Sequence, residues 1–236
     1  MVGAADAPVL AVLTRAPSSG GKSRLFASLG VPPDPRLLAA LLLDTLDGAA
    51  VPGVRRVVAV TPGSACDEIR ELLGRLPPSP REPGAMPDGD VEVMAQPDGD
   101  LGERMRATMT SLVARGAPAV ALIGSDVPHI TAATIAEAFA LVMRDPDALV
   151  LGPAADGGYY LVAAQRVPDV FSGIEWGSGH VLAQTERAAA VRALRVHRLA
   201  TLADVDTAGD LRRAARSGRA PRTAAWLSTY AAHRER

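Results

Sequence analysis

Apolar residues fall along the chain in two alternating rhythms. Residues 9–13 form a continuous apolar run that ends in a loop rich in Pro, Ser and Gly, the pattern of a strand covered on both faces. Asp34-Pro35 then supplies a cap followed by proline at the first helical position, after which Leu37, Leu38, Leu41, Leu42 and Leu46 recur at helical spacing. The alternation continues. Strands are predicted over residues 54–61, 91–95 and 119–123, with a short helix over 66–73 between the first two. A helix over 101–115 carries Leu101, Met105, Met109 and Leu112 on one face. Thr131 caps another, with Ile135, Ala138, Phe139, Val142 and Met143 inward. Short strands at 148–151 and 159–163, a helix over 180–190, a strand over 193–199, a helix over 208–216 and a C-terminal helix holding Trp226 complete the series. Residues 76–90 are rich in Pro and Gly and poor in apolar side chains, and read as a surface loop within a single domain spanning 1–236. Strands alternating with helices imply right-handed crossovers, hence an α/β fold with a mostly parallel sheet and helices on both faces. Ligands on such sheets bind beyond the carboxyl ends of the strands, so the loops after strands are where chemistry is expected.

Composition changes this picture little. The 236 residues are 48% apolar but only 3% aromatic, so Ala, Val and Leu must build the core. Net charge is −1 with no basic stripe, which argues against nucleic-acid binding. No apolar run reaches the ~18 residues of a membrane span, and the first seven residues lack the charged start and apolar stretch of a signal peptide; a cytoplasmic location is expected. The single cysteine, Cys66, rules out an intrachain disulfide framework and reads as a small filler at a helix start.

The unusual residues lie in the post-strand loops. Arg15-Ala16-Pro17-Ser18-Ser19-Gly20-Gly21-Lys22-Ser23-Arg24 follows the first strand and opens a helix. Gly20 and Gly21 let backbone amides approach a phosphate, Lys22 and Arg24 bring positive charge, and the helix start adds its dipole. The same loop resembles a Walker A sequence with Ala16 where the first glycine stands; Pro32 and Pro33 are expected to end its helix after about two turns, shorter than a P-loop helix. In Leu122-Ile123-Gly124-Ser125-Asp126-Val127-Pro128 an apolar strand delivers Asp126 into the crevice, where it can hold Mg²⁺ or Mn²⁺ against a diphosphate, or merely cap a turn. His129 is read as a neighbour of such a site, since a hard cation prefers oxygen ligands. In Asp204-Val205-Asp206-Thr207, Thr207 and Asp210 have capping-box spacing, and the paired acids Asp204 and Asp206 invite a cation. Asp156-Gly157-Gly158-Tyr159 reads either as a hairpin turn or as an acceptor-binding loop with Asp156 as base. Residues 96–105, containing Gln96 and Gly102, either contact a base or ribose or simply cap a helix. Trp176 either packs in the core or stacks on a sugar or base.

Taken in order, Gly21 to Leu25, Gln96 to Met105, Ile123 to Pro128, Gly152-Pro153 with Asp156 to Leu161, Trp176, and Asp204 to Thr207 with Asp210-Leu211 resemble a bacterial family with the nucleotide-diphospho-sugar transferase, or glycosyltransferase A-type, fold. Many members carry only a domain-of-unknown-function label, and some are named glycosyltransferases of arsenosugar biosynthesis. The resemblance implies a Rossmann-like sheet and a nucleotide cleft. Ser23 stands where the family has Thr, Gly177 and Ser178 replace Ser-Thr, and residues 76–90 are long for it. Related nucleotidyltransferases share the segments around Asp126 and Asp206. The Asp-x-Asp signature of many glycosyltransferases is missing, because Gly124 stands two before Asp126.

The resulting expectation is a metal-dependent transferase. Arg15, Gly20, Gly21, Lys22, Arg24, Gln96, Gly102 and Ser125 would bind the nucleotide, and Asp126 and Asp206 (with Asp204 as rival) would bind Mg²⁺ or Mn²⁺. Asp156, Gly157, Gly158, Tyr159 and Trp176 would face a small-molecule acceptor, with Asp126, Asp156 and Lys22 as the catalytic set. A nucleotide sugar is the expected donor, and a nucleoside triphosphate the alternative. A nucleotide-binding module without catalysis and a P-loop NTPase are the remaining rivals.

Overall fold

The computed structural model describes residues 7–75 and 91–234, with backbone alone for 233 and 234; the loop expected at 76–90 lies outside these residues. The elements run Val9–Arg15 (β1), Ser23–Leu29 (α1), Pro35–Gly48 (α2), Arg55–Thr61 (β2), Cys66–Gly74 (α3), Glu92–Ala95 (β3), Leu101–Ala114 (α4) and Val120–Gly124 (β4). They continue with Ala132–Arg144 (α5), Ala148–Pro153 (β5), Tyr159–Ala164 (β6), Val181–Val191 (α6), Arg195–Arg198 (β7), Ala208–Arg216 (α7) and Pro221–Arg234 (α8).

The seven strands form one sheet in the order β3-β2-β1-β4-β6-β5-β7. Only β6 runs antiparallel, pairing with β4 on one side and β5 on the other. The carboxyl ends of β1, β2, β3, β4, β5 and β7 therefore share one edge with the start of β6, and the loops singled out after β1, β3, β4, β5 and β7 emerge there.

Alternate strand residues supply two cores, as the continuous apolar runs require. Leu10, Val12, Val58, Val60, Ala121 and Ile123 face Leu42 and Leu46 of α2, Ile69 of α3, and Ile135 and Phe139 of α5. Val9, Ala11, Val57, Val120, Leu122 and Leu151 face Met105, Met109 and Leu112 of α4 and Ala189 of α6. Burying each such Val, Leu or Met contributes about 1.5–3 kcal/mol. Helices thus cover both faces, the expected architecture.

A third cluster joins α1, α2 and α7 through Leu25, Phe26, Leu37, Leu41, Leu211 and Ala214, with Trp226 and Tyr230 of α8 packed on it. Here sits a charge that the apolar pattern hid. Asp44, 1% exposed on α2, accepts from the Thr223 amide and hydroxyl at 2.8 Å each, and from the Arg222 amide and guanidinium at 3.2 Å each. It caps the amino end of α8 from outside that helix. No helix among the described residues is long and apolar enough to cross a membrane.

Candidate active site

The loop after β1 owes its shape to three successive residues with positive φ: Gly20 at 69°, Gly21 at 126° and Lys22 at 51°. A non-glycine residue there carries strain that only the surroundings can hold in place. What holds Lys22 is its side chain. Its ammonium donates to Asp126 Oδ2 at 2.6 Å and to Asp206 Oδ1 at 2.7 Å. Burial pulls the Lys22 pKa down, but the charges and hydrogen bonds of Asp126 and Asp206 outweigh it, and the group is pushed up to about 12. Lys22 caps α1, which spans seven residues. The helix ends as early as expected, but Gly30, left-handed at φ 71°, ends it before Pro32 and Pro33 are reached.

Three further loops close around this triad. Val205 N donates to Asp126 O at 3.0 Å, tying the segment after β7 to the segment after β4. Ala155 N donates to Leu202 O and Leu202 N to Pro153 O, both at 3.0 Å, which lays the β5–β6 turn beside the same segment. Asp204 lies mostly buried inside this group, its Oδ1 without a hydrogen-bond partner among the described residues. Burial, and then the charge of Asp126, push its carboxyl up to about 8; Lys22 opposes, while Asp156 and Asp206 add to the rise. Thr14 Oγ1 donates to Ser125 Oγ at 3.0 Å across β1 and β4.

The residues expected to bind a nucleotide divide into two sets. Lys22 and Ser125 stand at the triad, with Gly20 and Gly21 in the loop that leads to it. Arg24 is exposed, 3.9 Å from Asp206, and Arg15 is exposed with its side chain alongside Gly21. Gln96 and Gly102 both make structural contacts. Gln96 is buried; its amide donates to Thr14 O at 3.0 Å and Ala59 O at 2.7 Å and its carbonyl accepts from Arg104, so it ties strand ends together. At Gly102 a Cβ would lie 2.8 Å from the Trp176 ring and 2.6 Å from Phe171 O, so glycine here admits the indole. Helix capping accounts for the rest of this loop: Asp100 and Glu103 form a capping box. Thr207 and Asp210 form another, as their spacing predicts.

On the expected acceptor side, residues 154–158 form the hairpin turn between β5 and β6. Asp156 is exposed, and its carboxylate accepts from Gly158 N at 2.9 Å. Gly157 has φ 90°, and a Cβ there would lie 2.2 Å from Gly179 O. Tyr159 does not project toward solvent; its partly buried ring meets Trp176 edge-on at 6.3 Å and both pack against the core beneath α4. Packing therefore accounts for Trp176. His129 lies outside the triad, half-buried, with Nδ1 unpartnered among the described residues; burial, then the charges of Arg219 and Arg213, lower its pKa.

Sequence reasoning missed two features. It assigned Lys22 to phosphate and two acids to a metal, without seeing that the lysine bridges those acids. It also left the burial of Asp204 unseen. Paired acids demanding a positive charge were the available signal, and Lys22 is the charge that meets them here.

A family model described as an uncharacterized protein conserved in bacteria (DUF2064) matches residues 45–178, more than half of the chain. A crystal structure of a candidate nucleotide-diphospho-sugar transferase from Desulfovibrio desulfuricans G20 is 28% identical; the match covers 98% of both chains at a TM-score of 0.79. CMP:2-keto-3-deoxy-manno-octonic acid synthetase complexed with CTP is 15% identical, over 88% of this chain and 96% of that one, at 0.51. The 4-diphosphocytidyl-2C-methyl-D-erythritol synthase from Anaerococcus prevotii DSM 20548 is 12% identical, over 88% and 94%, at 0.52. These last two likenesses concern the fold. No curated protein matches.

Proposed function

The chain belongs to the DUF2064 family, and on that premise we propose that it is a metal-dependent glycosyltransferase, taking a nucleotide-diphospho-sugar donor and a small-molecule acceptor. The observation that carries this is one cation position shared by Asp126 and Asp206 at the mouth of a glycine-rich loop, on the sheet edge where α/β proteins bind ligands. The 28% identity to the candidate nucleotide-diphospho-sugar transferase over the full length supports the donor class.

The donor set fits a hard divalent cation. Two carboxylates reach one point, and Asp204, two residues before Asp206, has its buried Oδ1 unpartnered among the described residues. Among the described residues no cluster of three or more ligating side chains occurs. Mg²⁺ and Mn²⁺ suit such a site, because they take their remaining ligands from substrate phosphate and water. Bound there, the ion would neutralise charge on the departing nucleoside diphosphate. Asp126 and Asp206 would hold it. Lys22 and Arg24 would bind phosphate oxygens, and the amides around Gly20 and Gly21 would line the same anion. In the transfer the bond from the sugar's anomeric carbon to the diphosphate oxygen breaks, and the acceptor oxygen bonds to that carbon. Asp156, exposed at the hairpin tip, would take the acceptor's proton.

Nucleotidyl transfer is the second reading, and Gly124 favours it. The first acid of an Asp-x-Asp pair is missing there, and because a Cβ at 124 would lie 2.6 Å from Asp126 Oδ1, any side chain at 124 would displace the Asp126 carboxylate from its present position. The experiment that decides is a panel of nucleotide sugars and nucleoside triphosphates, each with and without Mn²⁺. A ligand at about 100 times its Kd stabilises the fold by about 2.7 kcal/mol, visible as a melting shift. The proposal expects Mn²⁺-dependent stabilisation by one nucleotide sugar and release of its nucleoside diphosphate, both lost in Asp126→Ala. Stabilisation by a triphosphate alone, with pyrophosphate released, would replace it with the second reading.

A further inference from the structure

We propose that Lys22 is an internal counter-ion that keeps divalent metal out of the Asp126–Asp206 position until the diphosphate of a nucleotide draws it away. Metal and nucleotide then bind this chain together, and metal does not bind first. The inference rests on the metal–nucleotide reading above and adds to it an order of binding.

The Lys22 ammonium lies 2.6 Å from one carboxylate oxygen and 2.7 Å from the other, with its side chain only 19% exposed. A cation ligated by those oxygens would occupy the same point. Two cations cannot share it, since at such separations like charges repel strongly even in a polar protein environment. The chain's own ammonium is tethered and present at fixed stoichiometry, so a free ion must displace it. Lys22 also has somewhere to go. It follows Gly20 and Gly21, whose positive φ values turn the backbone, and a Cβ built at Gly20 would meet no described residue within 4 Å beyond its chain neighbours, so this side of the loop is open. The lysine stem can swing toward an anion seated in that loop without moving β1 or β4. Such an anion offers the ammonium as many acceptors as the two carboxylates do, and frees Asp126 and Asp206, which would hold the metal. Arg24, 84% exposed and 3.9 Å from Asp206, stands at the rim and adds to the pull on the anion.

Coupling of this kind is reciprocal: whatever factor the nucleotide adds to metal affinity, the metal adds to nucleotide affinity. The test measures Mn²⁺ binding to the full chain through the electron paramagnetic resonance signal of the free ion, first without any nucleotide. Lys22→Ala and Lys22→Met should bind Mn²⁺ at least about tenfold more tightly than the unaltered chain, about 1.4 kcal/mol. Lys22→Arg, which keeps the charge, should bind no better than it. Melting curves establish that each variant is folded, and Lys22→Met, which keeps most of the stem volume, serves if Lys22→Ala is not. A parallel series of melts with UDP, GDP, CDP and ADP, each with and without Mn²⁺, tests the underlying reading. Equal Mn²⁺ affinity of the unaltered chain and the neutral variants overturns the counter-ion role even if a nucleotide stabilises the chain only with Mn²⁺. Absence of Mn²⁺-dependent stabilisation by every nucleotide, with no Mn²⁺ bound by any form, overturns the metal reading itself and this inference with it.

Discussion

Gly157→Ala tests the geometry of the acceptor side directly. Gly157 sits at φ 90°, a conformation that costs an L-residue about 1–2 kcal/mol. The added Cβ would also lie 2.2 Å from the Gly179 carbonyl oxygen and 2.9 Å from its Cα, all of it backbone, so a flexible side-chain end cannot yield. Forcing extra volume into a packed contact costs about 1–3 kcal/mol. The two costs together give about 2–5 kcal/mol. For a chain of this size 1 kcal/mol lowers the melting temperature by about 2–4 °C, so a drop of at least about 4 °C is expected. Two controls divide the effect. Gly173 has φ 72° but nothing within 4 Å of its Cβ position, so Gly173→Ala reports the backbone cost alone. Gly158 has no positive φ, and its Cβ would meet only the movable Asp156 carboxylate at 3.2 Å, so Gly158→Ala should be mildest. Melting by differential scanning fluorimetry orders the three. If Gly157→Ala melts with Gly173→Ala, the contact between the hairpin and the 176–180 segment does not exist as described, and the placing of Asp156 beside it fails as well.

Three further outcomes follow from the same geometry. Asp44→Ala should cost about 2–4 kcal/mol in denaturant titration, from a lost helix cap of about 1 kcal/mol and unsatisfied donors on Thr223 and Arg222 worth about 1–3. In metal-free buffer the melting temperature should fall as pH rises toward about 8. The folded Asp204 carboxyl, raised from its ordinary 3.8, still holds a proton that the unfolded chain has released, so its contribution is full at acid pH and lost as pH passes the folded value; Asp204→Asn should flatten that slope. Gly124→Ala should leave melting nearly unchanged but weaken Mn²⁺-dependent nucleotide stabilisation at least about tenfold, because its Cβ displaces the Asp126 carboxylate from 2.6 Å away; unchanged stabilisation would show that Asp126 does not need its present position.

Most of the fold was legible because its central strands β1, β2, β4, β5 and β6 are buried on both faces, so each carries a run of apolar residues bounded by turn residues, whereas the edge strands β3 and β7 are short and partly exposed. The capping box at Thr207 was legible because it acts over three residues, and the one at Asp100 lies in a segment whose helix-capping reading stood beside a ligand-binding one. What escaped acts over long separations. Lys22 meets Asp126 and Asp206 at 104 and 184 positions away, and no local spacing announces such a bridge. The same holds for Asp44, which sits in an apolar helix pattern and finds its donors 178 and 179 residues later. Gln96 and Gly102 read as ligand contacts in sequence because they share a motif with residues at the sheet edge. Their partners are Thr14, Ala59 and Trp176, and a motif can be kept by packing as firmly as by chemistry.

On the proposed function, the arrangement divides the labour of transfer between two sides of one sheet edge. Glycosyl and nucleotidyl transfer both leave negative charge on phosphate oxygens, so both call for a glycine loop, a lysine and acids able to hold a hard cation. The loops after β1, β4 and β7 supply that set, and Val205 N bonded to Asp126 O locks two of them together. The reactions differ in where the acceptor attacks: a sugar carbon in one, the α-phosphorus in the other. That choice falls to the groups that seat the acceptor. In the proposed function those groups lie on the β5–β6 hairpin, whose tip carries Asp156 and whose Gly157 is pressed against Gly179. Gly152 acts in the same way deeper in the hairpin, since its lack of a side chain admits the Tyr160 ring, whose hydroxyl bonds Ala200 O at 3.0 Å and ties the hairpin to the segment bearing the acids. Substitutions in the first set should therefore lower turnover with every acceptor alike. Substitutions in the 176–180 segment beneath the hairpin should change which acceptor is used, and Asp156→Asn should slow transfer to every acceptor, while metal and nucleotide still bind in both cases.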